Sequence, residues 1–282
     1  ILSDARYRFE RGVDPNFVDE GINIMTDLVL EICGGEVSEE VSFGNRKLER
    51  KTNFILGKEN GECFTYHKNG NIKVKSIYVE GIENGTWGYW YEDGQVAWGN
   101  TYDMGSKEGE WLYFHKNGNS SKSLTYKDNL LHGTQSYYYD NGQPKKIINY
   151  KEGRFNGSYT TFYPDSIVKM SKYYKNSIVD GEELSFHDNG QKSFEKHWDN
   201  GQQTGRWEYF YKNGQIKKIG AWKEGLKDGK WEHYLENGNK TDFALFSKGN
   251  LWMVLEFDRF GVVKDHEEEV KFSTSVCSNF YV

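Results

Sequence analysis

Residues Gly205–Gly214 read GRWEYFYKNG. A glycine is followed two residues later by Trp207, then by a run of aromatic residues, then by an Asn-Gly pair. Asn-Gly between strand-forming residues is a strong hairpin signal, because both central residues of a type I′ turn need positive φ. The same text returns 24 residues away in either direction. The turn dipeptide falls at Asn69-Gly70, Asp93-Gly94, Asn117-Gly118, Asn141-Gly142, Asp165-Ser166, Asn189-Gly190, Asn213-Gly214 and Asn237-Gly238. An entering glycine keeps the register at Gly61, Gly85, Gly109, Gly133, Gly157, Gly181, Gly205 and Gly229. Eight in-register copies over 57–248 make this a repeat protein.

Two aromatic columns carry the same period. One runs from Tyr66 and Trp90 to Tyr234, the other from Tyr78 and Tyr102 to Phe246. Each unit is too small to bury its own apolar face, so neighbours stack and share it. Each copy reads as strand, two-residue turn, strand and a looser turn. The fold expected is all-β: an open single-layer antiparallel sheet of eight to nine 24-residue β-hairpins, with a short N-terminal helical segment. In the fifth copy Pro164 removes a backbone donor beside Asp165-Ser166, and a local irregularity is expected there. Residues 251–263 read as a ninth copy shifted by one, more apolar than the others, as a terminal cap would be.

Composition narrows the function. The 282 residues are 16% aromatic, with 31 glycines and 3 prolines, which suits a thin, half-wet β structure better than a thick core. The 42 acidic and 36 basic residues are mixed along the chain and sum to −6, so no strong field draws in nucleic acid or anionic membrane. Cys33, Cys63 and Cys277 are odd in number and far apart, which argues against a disulfide framework and favours a reducing, cytoplasmic setting. Neither a transmembrane run nor a signal-peptide pattern is read. Because the chain opens at Ile1, the natural start is expected upstream.

The organisation expected is a helical segment at 1–40, a charged joint at 41–56, the repeats at 57–263 and a fraying tail at 264–282. Asp14-Pro15 opens a helix, Val18, Ile22, Met25, Val29 and Ile32 form its apolar stripe, and Gly34-Gly35 ends it. The text SDARYRFERGVDPN and the later EICGGE resemble part of the bacterial phenylalanyl-tRNA synthetase β subunit, at the end of its editing domain. That resemblance puts Ser3 and Ala5 where the family has two small editing-pocket residues. The histidine, the glutamate and the rest of that pocket are missing, as are the tRNA-binding domains. The segment is therefore expected to be inert, a fused remnant or an artefact of an assembled reading frame.

The repeat itself, G-x-W-x-x-Y/F-Y/H-x-N-G-Q followed by an aromatic residue, resembles the bacterial MORN repeat variant. This resemblance implies successive hairpins curved into an open trough, and a non-catalytic role in binding proteins or lipids. Some bacterial members carry an antitoxin label. Membrane attachment through the repeats is the weaker form of that expectation.

Alternation places Trp87, Tyr89 and Tyr91 on one strand face and Trp90 on the other. The expectation is that the invariant column containing Trp90 is the packing face. Trp87, Tyr89, Trp111, Tyr113, Trp207, Tyr209 and Trp231 would then lie on the opposite face, as cross-strand ladders, a protein-binding strip, or both. His67, His115 and His187 share one column. With strands ~4.8 Å apart, successive members lie on the order of 19 Å apart, far beyond the ~2 Å reach of a zinc ligand. They read as aromatic substitutes, and no metal site is expected. Lys73, Lys145, Lys146, Lys169, Lys217 and Lys218 cluster loosely on second strands; acidic turns nearby weaken a reading as a phosphate or lipid stripe. No residue stands out from its column as a catalytic residue would. No catalytic site and no cofactor is expected, and a protein partner is favoured over nucleic acid.

Overall fold

The computed structural model describes residues 40–44, 47–258 and 260–264. The expected N-terminal helix, Ser3, Ala5, Cys33 and Cys277 lie outside them. Two compact units meet in sequence at Gly142/Gln143 and are taken separately.

Every strand pairing in both units is antiparallel, and successive strands pair with one another. The first unit runs Glu40–Gly44, Lys47–Thr52, Gly61–Tyr66, Ile72–Val79, Gly85–Trp90, Val96–Asp103, Ser106–Phe114, Ser120–Lys127 and Gly133–Tyr138. The second unit runs Pro144–Lys151, Arg154–Phe162, Val168–Lys175, Ile178–Phe186, Lys192–Asp199, Gln202–Phe210, Ile216–Lys223, Leu226–Tyr234, Lys240–Ser247 and Asn250–Glu256. Each unit is an open, single-layer, all-β sheet built from hairpins of one period. No helix occurs among the described residues.

The turn chemistry is the reverse of the sequence expectation. At the Asn-Gly site the His67 N–H donates to Asn71 O at 2.8 Å and Gly70 N–H donates to His67 O at 2.8 Å. Only Gly70 has positive φ, at +95°. Three residues thus bridge the strands as a type I turn ending in a left-handed glycine bulge. Asn69 is there for its side chain. Its Oδ1 accepts from Asn71 N–H at 2.9 Å, and its Nδ2 donates to Glu92 O, in the next copy, at 2.7 Å. Asn117, Asn189 and Asn213 repeat the forward clip onto Asp140, Lys212 and Glu236.

The type I′ turns sit instead at the apparently loose connections. Val79 pairs with Ile82, leaving Glu80 and Gly81 between them at φ +52° and +80°. The same pair of positive φ values recurs at Leu56-Gly57, Met104-Gly105, Asp128-Asn129, Glu152-Gly153, Asn176-Ser177, Asn200-Gly201, Glu224-Gly225 and Lys248-Gly249. A non-glycine residue in this region is strained, and the preceding copy holds it there. Glu80 N–H donates to Asn60 Oδ1 and Gly81 N–H to Glu59 O. Asn84, Glu108, Asn156, Asp180 and Asp228 serve the turns after them as Asn60 does.

One other expectation changes, and the entering glycines gain a structural role. The entering glycines lie at bulges within or beside strands. In Ser106–Phe114, residues 108 to 112 face only 101 to 99, and Gly109 takes up the excess at φ +66°. The fifth copy is regular: Tyr163 N–H donates to Ile167 O and Ser166 N–H to Tyr163 O, as in its neighbours. Pro164 occupies the first central position of a type I turn, where its fixed φ fits and no donor is needed. At the end of the chain Asp258 N–H donates to Val262 O, with Gly261 at φ +82°, one residue early in the period. Leu251, Trp252 and Phe260 are exposed there.

The joint also differs from expectation. Lys47–Thr52 pairs with Glu40–Gly44 on one side and with Gly61–Tyr66 on the other, so strand pairing extends upstream of Gly57. Phe54 continues the Tyr78 column 24 residues earlier.

Candidate functional site

Directly paired residues of an antiparallel ladder share a face. Trp87 pairs with Asn100, Tyr89 with Trp98 and Gly85 with Tyr102. In the second unit Trp207 pairs with Gly220 and Tyr209 with Lys218. The tryptophan column and the Tyr78–Phe246 column therefore share one face, and the Tyr66–Tyr234 column lies on the other. The correction lies in which face is packed. Each face has one of the two aromatic columns, and the tryptophans join the second.

They form its interior. Trp111, Trp207 and Trp231 keep 5%, 4% and 2% of their surface, so the expected solvent-facing strip is closed at these positions. Trp87, Trp111 and Trp207 are each gripped between two members of the other column, and Trp231 meets Trp222. Trp87 lies 5.1 Å from Tyr78 and 5.2 Å from Tyr102, and Trp111 lies 5.2 Å from Tyr102 and 5.0 Å from Tyr126. In the second unit Trp198, Trp207, Trp222 and Trp231 follow one another at 5.1, 5.2 and 5.4 Å. The indole N–H satisfies a strand carbonyl ten residues back. Trp87, Trp111, Trp207 and Trp231 donate to Ile77, Thr101, His197 and Ala221 O, each at 3.1 Å. Gln135 replaces the ring with an amide that donates to Thr125 O at 3.1 Å and accepts from Thr125 N–H at 2.8 Å. The bond explains why an apolar column tolerates glutamine.

Beside this closed row runs a half-buried one. Tyr89 stacks on Trp98 at 5.9 Å and 10°, and Trp98 pairs with Tyr113. Lys122 Nζ lies 3.9 Å from the Tyr113 ring centre. In the second unit Phe194 and Tyr209 lie 6.1 Å apart. Burial raises the phenol pKa of Tyr113 and of Tyr209. Tyr89, Tyr113 and Tyr209 are thus the expected strip residues that keep reachable aromatic surface, together with the half-buried Trp87.

The histidine column does more than fill space. His67, His115 and His187 place Nε2 at 2.8, 3.3 and 3.1 Å from the carbonyl oxygens of Trp90, Tyr138 and Phe210. Carbonyls only accept, so Nε2 carries the proton. Tyr163 and Tyr211 make the same clip with their hydroxyls. The lysine cluster divides. Lys73, Lys145, Lys169 and Lys217 are exposed, whereas Lys146 and Lys218 are half-buried and pair with Thr161 and Tyr209 on the aromatic face.

Two features escape column reading. Glu183 occupies the tryptophan column; it is buried, accepts from Trp198 Nε1 at 2.9 Å and has Lys172 Nζ at 3.9 Å. The break in the column at 183 was its signal. On the other face, ligand-type atoms of Glu182, Glu195 and His197 lie within 4.8 Å of one another. Lys192 Nζ already sits 2.5 Å from Glu195 Oε2 and supplies a cation there.

Comparison with known proteins fits this geometry. Phenylalanine–tRNA ligase β subunits match a short stretch of the chain. The Novosphingobium aromaticivorans protein is 61% identical over 51 residues, 18% of this chain and 6% of that protein. The Bartonella henselae protein is 53% identical over 57 residues, 20% and 7%. The chain thus spans less than a tenth of the length of these relatives. A solved TcdB2-TccC3-Cdc42 structure aligns over 78% of this chain and 14% of its own, at 10% identity and a TM-score of 0.20, too low to argue from. The family described as MORN repeat variant matches residues 59–80, 107–128, 131–152, 179–200 and 203–224, in the frame of the hairpins. The sheet they build is a repeat scaffold. Those five stretches of the chain are similar to MORN repeat variants.

Proposed function

We propose that this scaffold binds a protein partner on its aromatic face, through the half-buried row that includes Tyr89, Trp98 and Tyr113 in the first unit and Tyr209 in the second. The observation that carries the reading is the contrast between two adjacent rows. The tryptophan row is closed and hydrogen-bonded, so it fixes the backbone; the tyrosine row beside it keeps aromatic surface open on a rigid support. Rigid aromatic surface suits partner binding, since little conformational entropy is lost on contact. An antitoxin-like role is one instance of such binding. The test is co-purification with tagged chain, comparing wild type with Tyr89→Ser/Tyr113→Ser and Tyr209→Ser variants whose melting temperatures are checked first. Partner loss in variants that stay folded supports the reading; unchanged capture overturns it. Replacing Trp207 and Trp231 is no substitute, because those rings are the interior.

The short match to phenylalanine–tRNA ligase β subunits favours a second reading, a tRNA-linked role. It predicts tRNA binding at ~0.15 M salt, where phosphate contacts dominate affinity; a filter-binding assay that shows none removes it. Sedimentation with anionic vesicles tests the membrane alternative in the same way.

A further inference from the structure

The two faces of the second unit differ in how their charges are met. On the face opposite the tryptophans four cations have carboxylates, Lys192 on Glu195, Arg206 on Glu208, and Lys230 and Lys240 both on Glu232, while Lys169 and Lys217 lie over tyrosine rings. The aromatic face is different. Its described carboxylates are Glu183, Asp242 and Glu256, held by Trp198 and Lys172, by His233, and by Lys264. Lys196, Lys218 and Lys227 have no ion-pair partner among the described residues, and each lies over aromatic rings. Lys196 Nζ is 4.0 Å from the Phe194 centre and 5.1 Å from Trp207; Lys218 and Lys227 are each 5.0 Å from Trp231. Burial and the charge of Lys227 lower the Lys218 pKa, and the Asp242 carboxylate, held by His233, offsets them only in part.

We propose that the aromatic face of residues 144–256 takes an acidic polypeptide segment, its carboxylates meeting Lys196, Lys218 and Lys227 while its apolar groups lie on Tyr209 and Phe194. This rests on the aromatic-face reading above and names the chemistry of its partner. Lys196 and Lys218 stand two strands apart, at least about 10 Å at ~4.8 Å per strand. An extended chain crossing the strands advances ~3.4 Å per residue, so it meets a lysine about every third residue. Single-stranded nucleic acid also offers anions, but it binds sheets by stacking bases on open ring faces. Here Trp207 and Trp231 are closed by neighbouring rings and by the lysine stems. Polypeptide is the better fit.

The test is fluorescence anisotropy of the full chain with three labelled probes: a 15-residue Glu/Tyr peptide, a Ser/Tyr peptide of equal length, and oligo-dT. The expected result is preference for the Glu/Tyr peptide, weakened at least tenfold by Lys196→Gln/Lys218→Gln and restored by Lys196→Arg/Lys218→Arg. Near-UV circular dichroism checks that the Gln variant keeps its aromatic packing. Equal binding of the Ser/Tyr peptide, lost with Tyr209→Ser, overturns the acidic preference and leaves the aromatic-face reading standing. Preference for oligo-dT, or no binding to any probe, overturns the proposal; the co-purification experiment then judges the aromatic face by itself.

Discussion

Gly220→Ala adds one methyl group to a strand and is expected to be among the most damaging conservative changes in this chain. Gly220 faces the Trp231 ring, and a Cβ built there falls 2.1 Å from Cδ2, 2.4 Å from Cε2 and 2.5 Å from Cε3. The φ of Gly220 is not in the left-handed region, so the cost is steric alone. The ring has to retreat by more than ~1 Å to reach ordinary contact, against constraints on several sides. Its Nε1 is bonded to Ala221 O at 3.1 Å, Trp222 meets it edge-on at 5.4 Å, and Lys218 and Lys227 lie over it. Overpacking costs about 1–3 kcal/mol, and losing the indole hydrogen bond adds about 1 kcal/mol. The expected loss is thus about 2–4 kcal/mol. Gly99→Ala is the matched control, because its Cβ meets only Trp87 O at 3.7 Å. Urea unfolding followed by tryptophan fluorescence should show a lower midpoint for Gly220→Ala and little change for Gly99→Ala. A double-mutant cycle with Trp231→Leu should recover most of the loss, since the clash partner is then gone. A Gly220→Ala midpoint within error of wild type would falsify the packing argument.

Other expected outcomes follow from hydrogen bonds and charges. Asn117→Asp keeps the oxygen that accepts from Asn119 N–H but loses the donor to Asp140 O, and is expected to cost about 1 kcal/mol in urea unfolding. The reverse change, Asp93→Asn, restores the amide to a copy that uses only its oxygen and should raise the melting temperature; a fall would refute the clip. Burial alone would raise the Glu232 carboxyl pKa, but Lys230 at 2.8 Å and Lys240 at 2.5 Å outweigh it and lower it to about 2. Because the folded value is depressed, this stabilisation is present above the unfolded pKa of about 4.5 and is lost as pH falls towards 2. Melting curves of wild type and Glu232→Gln should therefore diverge above pH 5 and converge near pH 2. The buried Cys63 thiol, its pKa raised by burial, should resist a thiol reagent in the native chain and react once urea opens the first copies; equal rates in both states would contradict its burial.

The period was fully legible because glycines mark it, and glycines are placed by backbone conformation that no neighbour can alter. Turn type was not. Asn-Gly is compatible with positive φ at both residues, and what decides against it is the Nδ2 bond from Asn69 to Glu92 O, a contact 23 residues away. The left-handed position at the other rim carries Glu80, Met104 and Lys248, residues with no preference for it, because the preceding copy supplies the acceptors. Face assignment failed for a related reason. Strict alternation along 87 to 91 is correct within a strand, but it does not say which column of the partner strand shares a face. The bulge at each entering glycine intervenes. Glu183 was visible as a carboxylate in a column of tryptophans, and comparing columns residue by residue would have found it.

The rims of the sheet have a direction. The strained left-handed turns at Glu80, Met104, Asp128, Asn176, Asn200 and Lys248 are held by acceptors that lie earlier in the chain, as Met104 is held by Asn84. During synthesis those acceptors emerge first, so every copy meets a finished template rather than waiting for one. Assembly from the N-terminal side therefore runs with the ribosome. It also means that a duplicated block of one whole period joins the array with all its rim bonds intact, while the insertion of a single residue breaks the bonds on both rims at once.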